Sequence, residues 1–279
     1  MKNILNKLKK TGVAVAVTLG AMLLFIAVVG AGNVVQSLNY RDLGNGIMTL
    51  FPFIILVYVI VLNRRINKLS PGQYGFTAKN LLSNIVIGVC LPVIIITLSV
   101  LAAVFIIDIQ VVFLPPANDF AHTMLVTLWT LFIVGVWEEF FFRGFVFNYF
   151  MESKFGFHAS ALLSSVLFSL MHWFSFDSAV TSSSWYIGIV LLGYLLTIMY
   201  VVTKSIWSVV VFHLCWNFCA ALLEGDSNGI GLVAVANYTA YSKSIDDFMV
   251  VCLAVILGIV LILYRRQLGV VQDNKIQHA

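Results

Sequence analysis

Charge is what this sequence has least of. Sixteen Lys and Arg and twelve Asp and Glu make up 10% of 279 residues, while 61% are apolar and the mean hydropathy is +1.01. A soluble domain carries about 25% charged residues, so a soluble globular fold is excluded and a polytopic membrane protein is indicated. Proline is also scarce, at five residues, which leaves long apolar runs free to stay helical. Four cysteines all lie inside apolar runs, so a disulfide framework is not indicated. No His-Glu-x-x-His pair offers two zinc ligands one turn apart, and no Gly-x-Ser-x-Gly elbow is present. Two isolated membrane aspartates are missing as well. Five histidines, only two of them deep in apolar runs, are too few for a histidine-rich di-iron site. The basic residues stand at segment ends rather than in one sequence patch, so the net charge of +4 gives no reason to invoke nucleic acid.

What is there is a series of eight apolar runs at 11–31, 47–63, 81–107, 120–147, 158–176, 184–202, 206–223 and 248–264. Each is near the ~20 residues a membrane helix needs. The predicted fold is therefore all-α, with about eight transmembrane helices in one membrane domain, 1–279. Pro92 and the length of 81–107 predict tilt or a kink there. The apolar stretch after Lys10 is longer than the core of a signal peptide and is read as an uncleaved first helix. With the N-terminus inside, thirteen basic residues, from Lys2 to Lys275, fall on the inner side and only Arg41 and Lys243 outside. That bias places both termini in the cytoplasm, and the compact loops suit a bacterial cytoplasmic membrane. The 224–247 connection contains the apolar 232–236, which leaves a partly re-entrant loop open.

Against this background Trp137-Glu138-Glu139-Phe140-Phe141-Phe142-Arg143 stands out. A charged side chain at mid-membrane costs about 2.5–3.5 kcal/mol, and three lie within six residues. Glu139 and Arg143, four apart, share a helix face and can neutralise each other. Glu138 is turned about 100° away and needs other partners. His172, in Phe168-Ser169-Leu170-Met171-His172, and the i, i+4 pair His213 and Asn217 supply them from two further helices. Counting ~1.5 Å per residue from the inner boundary puts Glu138, His172 and His213 at overlapping depths of roughly 14–24 Å. The aromatic run Phe140–Phe142, with Phe145 and Phe147, reads most simply as lipid-facing and packing surface. His122, His158, Glu224 and His278 read as solvated or interfacial groups.

Glu-Glu-x-x-x-Arg, Phe-x-x-x-His and His-x-x-x-Asn, on three helices in this order, resemble the CPBP family of intramembrane proteases. These are the type II CAAX prenyl endopeptidases and the bacteriocin-processing, or Abi, proteins. The resemblance covers 120–223 and implies an eight-helix fold with a cavity open to the cytoplasmic side. It also implies a hydrolase in which Glu138 and His172 activate water, His213 and Asn217 form an oxyanion hole, and Glu139 and Arg143 occupy supporting positions. Glu138, His172 and His213 also have the ligand types of a catalytic Zn2+ site, so the family's description as metalloproteases stays open at this point, and no cofactor is certain.

The function expected is therefore endoproteolysis of membrane-associated, CAAX-like or bacteriocin-type peptides. The partners expected are a peptide or protein substrate, the lipid bilayer and a membrane signalling protein. A non-catalytic scaffold for bacteriocin immunity or sensor-kinase regulation is the competing reading. A proton-coupled transporter is a third, weakened by the lack of a second, pseudo-symmetric set of broken helices.

Overall fold

The computed structural model describes residues 2–116, 118–173, 183–223, 230–235 and 238–277. Glu224 and His278, and the end of the run expected to reach 176, lie outside them.

The chain is almost entirely helical. In order come α1 (Lys2–Ser37), α2 (Arg41–Met48), α3 (Phe51–Leu62), α4 (Leu81–Ile106), β1 (Val111–Phe113) and α5 (Phe120–Glu139). A π-helical segment (Phe140–Phe147) then continues into α6 (Asn148–Glu152). It is followed by α7 (Phe157–Trp173), α8 (Ser183–Thr203), α9 (Ile206–Leu223), β2 (Val233–Val235) and α10 (Tyr238–Gln277). Among the described residues seven helical stretches are long and apolar enough to cross a membrane, and Phe157–His172 is a shorter apolar eighth. The protein is an integral membrane protein of the all-α class. Its outward faces are correspondingly greasy, with Leu82, Phe105 and Leu263 among many exposed apolar side chains that lipid would cover.

The elements differ from the apolar runs mainly at their ends. The second span begins at α2, whose Asp42, Gly44, Asn45 and Gly46 dilute the hydropathy before Pro52 opens α3. α4 runs unbroken through Pro92, which is buried within it. The apolar stretch of the 224–247 connection is a strand over 233–235. It pairs antiparallel with β1 in the register Val111↔Val235, Val112↔Ala234 and Phe113↔Val233. Leu232 is tied by its backbone to Leu222 and Leu114, so the described part of this loop is strapped to the end of α9.

Helix packing uses small residues where backbones approach closely, as expected where hydrocarbon surrounds the bundle. α4 lies along α9, with Gly88 so close that a Cβ there would meet the Ser208 carbonyl at 2.8 Å. α7 lies on α8, where a Cβ on Gly193 would meet Ser165 at 3.1 Å. α5 meets α9 at Gly135, whose imagined Cβ would stand 3.2 Å from the Val210 carbonyl and 3.7 Å from the His213 Cβ. That last contact sets the His213 side chain against the helix turn carrying Glu138 and Glu139.

The aromatic run is a correction to the sequence reading. Phe140, Phe141, Phe142, Phe145 and Phe147 are all buried and face protein rather than lipid. Phe142 meets Phe168 edge-on at 5.0 Å and Phe147 meets Tyr200 at 6.0 Å. The reason is the local helix geometry. The π-helical segment closes five-residue rather than four-residue turns, and it lies wholly within neighbouring helices. Side chains support its backbone: Asn148 Nδ2 donates to the Arg143 and Gly144 carbonyls, Ser164 Oγ to that of Phe142, and Asn67 Nδ2 to that of Phe145.

Candidate functional site

The site forms where the end of α5 and the start of the π-helical segment meet α7 and α9. Arg143 is fully buried, and its Nη1 donates to Glu139 Oε1 at 2.7 Å. Its Nη2 donates to the Gly193 carbonyl at 3.1 Å, and the guanidinium lies 4.7 Å from the centre of the Phe168 ring. The expected pair of opposite charges is present, and it is fixed on α7 and α8 as well as within its own helix.

Glu139 does more than neutralise Arg143. Its Oε1 also accepts from His213 Nδ1 at 2.8 Å. A carboxylate only accepts, so this bond places a proton on Nδ1 and turns Nε2 toward Glu138 Oε2, 3.7 Å away. His172 is set in a parallel way. Its Nδ1 donates to the Phe168 carbonyl at 2.9 Å, and its Nε2 stands 3.9 Å from the same Glu138 oxygen. Two imidazole Nε2 atoms from two helices thus face one carboxylate oxygen. Glu138 Oε2 is buried and has no hydrogen-bond partner among the described residues, because both separations exceed hydrogen-bond length.

Phe168 holds the other members in place. Its ring meets His172 at 4.6 Å and His213 at 6.0 Å while carrying Arg143 on its face. Trp185 of α8 borders His172 on another side, at 6.2 Å between rings.

The structure therefore brings Glu138, Glu139, Arg143, His172 and His213 together from three helices. Asn217, one turn beyond His213 on α9, is half-buried, and its side chain makes no hydrogen bond among the described residues. The motif spacing did not reveal the Glu139–His213 bond or the Gly193 carbonyl as an Arg143 acceptor. Both contacts join residues at least fifty positions apart. Phe168 was visible as the first residue of Phe-x-x-x-His, though its three-way packing was not.

Charge bookkeeping limits the states of the cluster. Two carboxylates against one guanidinium leave one negative charge, and a single further proton on an imidazole or on Glu138 makes the buried group neutral.

The same three groups have the donor types for zinc. As placed, however, no three His, Cys, Asp or Glu side chains among the described residues are grouped as a metal ion's ligand set.

Residues 120–219 match the family model described as "Type II CAAX prenyl endopeptidase Rce1-like". The matched stretch begins with α5 and ends two residues beyond Asn217, so it contains every member of the cluster. The match spans 100 of the 279 residues and falls on the stretch that carries the three motifs read from the sequence. A search of curated proteins found no matching relative.

Proposed function

We propose that this chain is an intramembrane endopeptidase in which a water bound between Glu138, His172 and His213 attacks a peptide carbonyl. One observation carries the reading: the buried Oε2 of Glu138, without a hydrogen bond among the described residues, faces the Nε2 atoms of two histidines at 3.7 and 3.9 Å. Such separations are too long for direct bonds and suit one shared water about 2.8 Å from each group.

Glu138 takes a proton from this water as its oxygen bonds to the carbonyl carbon, and His172 Nε2 orients it. In the state that carries the cluster's further proton on His213, its Nε2 donates to the developing oxyanion, and the Asn217 amide is the second donor. As the carbon–nitrogen bond breaks, Glu138 passes its proton to the leaving amine. The products are an amine and a carboxylic acid, which gives up its remaining proton to water on release. Glu139 and Arg143 act through His213 and touch no substrate.

The substrate class supported by the family match is a CAAX-type peptide at the membrane. The catalytic core is 120–223 within one membrane domain, and the positive-inside distribution supports cytoplasmic termini.

The test is cleavage of a fluorogenic prenylated CAAX peptide by purified protein in detergent. Wild type, Glu138→Ala and wild type with added chelator are compared. The reading requires cleavage by wild type, loss in Glu138→Ala and no effect of chelator on the rate. Full activity of Glu138→Ala overturns the assignment, and loss with chelator that zinc restores overturns the metal-free chemistry.

A further inference from the structure

The basic residues that stand apart in sequence are gathered by the fold. Lys7 and Lys10 lie on the first turns of α1, Arg64, Arg65 and Lys68 on the turn that closes the second span, and Lys154 in the loop after α6. These segments meet at one end of the bundle. Lys7 Nζ stands 5.3 Å from the centre of the Phe155 ring and Lys10 Nζ 5.5 Å from that of Tyr149. Asn67, between Arg65 and Lys68, bonds to the Phe145 carbonyl and to Asn63. α6 packs against both α1 and the 63–67 turn. The one carboxylate in these stretches is Glu152.

We propose that this end of the protein is a binding site for the headgroup of an anionic phospholipid. The cations sit at the ends of apolar helices, where a bilayer's headgroups must lie, and Tyr149 and Phe155 form an aromatic floor beneath two of them. An anionic headgroup is the partner that position supplies. A free phosphate or an acidic peptide would have to come from solution with no acyl chain to hold it. A bound headgroup links α1 and the 63–68 turn across α6, the continuation of the helix that carries Glu138 and Glu139.

The experiment is native mass spectrometry and lipid titration of the full chain in zwitterionic nanodiscs doped with phosphatidylglycerol. Wild type is compared with Lys7→Gln/Lys10→Gln and Arg64→Gln/Arg65→Gln, and with Arg64→Lys/Arg65→Lys as the charge-conserving control. Wild type is expected to retain phosphatidylglycerol over phosphatidylcholine. Each neutralised pair is expected to weaken retention by roughly twenty-five-fold, about five-fold per cation, and the lysine control by little. Equal retention of both lipids by wild type overturns the proposal, as does undiminished retention by both neutralised variants. Displacement of the lipid by millimolar inorganic phosphate or by an acidic soluble peptide also overturns it, because the site then reads charge without the membrane. Catalytic activity is not the readout, so the outcome does not depend on the proteolytic function.

Discussion

At the residue scale the main revision concerns Glu139. Its spacing to Arg143 assigns it to helix anchoring, and the pair is present, but its Oε1 is shared with His213 Nδ1. Glu139→Gln should therefore act twice. Leaving the Arg143 charge without its counter-ion is expected to cost about 3–5 kcal/mol of stability, read as a lowered midpoint of thermal unfolding in detergent. It should also slow cleavage by the variant that remains folded, because His213 loses the group that holds its proton. Glu138→Gln separates the two effects. It keeps shape and burial, so its unfolding midpoint should move far less than that of Glu139→Gln. Its rate should fall by about 10²–10⁴, the range of a lost general base. A Glu138→Gln protein that cleaves at the wild-type rate would contradict the assignment of the base.

At the element scale the close helix crossings are the features most open to test. Gly88 abuts the Ser208 backbone, which cannot move aside as a side chain would. Gly88→Ala is expected to separate α4 from α9 and destabilise the bundle by about 1–3 kcal/mol, seen as an earlier thermal transition. Gly30, which has open space around its Cα, is the matched control and should tolerate alanine without change. How much of the architecture the sequence discloses follows from the same physics. Long apolar runs announce spans such as 81–107 and 184–202 because burial in lipid needs only length and hydropathy. The π-helical segment was hidden, since Phe140–Phe147 has the composition of any greasy helix and its geometry depends on Asn148, Ser164 and Asn67 reaching its carbonyls. The β1–β2 pairing was hidden too, being three residues on each side of more than a hundred intervening positions. For the site, Glu138, His172 and His213 were legible because ionisable groups in apolar runs are costly enough to be conspicuous. The Glu139–His213 bond was not, because which way α9 turns toward α5 is decided by packing at Gly135.

At the scale of the whole molecule, surface and interior are divided by chemistry in two directions. Apolar side chains cover the flanks, Lys7, Lys10, Arg64, Arg65, Lys68 and Lys154 gather at one end, and the interior hides the cluster around Glu138 and Arg143. The basic bias predicts a C-terminus on the cytoplasmic side. A C-terminal green fluorescent protein fusion should fluoresce, while an alkaline phosphatase fusion at the same point should be inactive. The opposite pair of results would invert the topology and place the basic end outside.

The π-helical segment also bears on how the chain can change in length. A π turn is an α turn carrying one residue more. Deleting one residue from 140–147 would let one π turn relax to an α turn, so the helix beyond would keep nearly its present phase instead of turning by the about 100° that a deletion in a regular α-helix imposes. Tyr149 and Phe155 would stay near Lys10 and Lys7, and Glu138 and Glu139, upstream of the change, would stay in place. The segment is thus a point where the chain can lose a residue without re-aiming the membrane-boundary end of the helix against the end that carries Glu138.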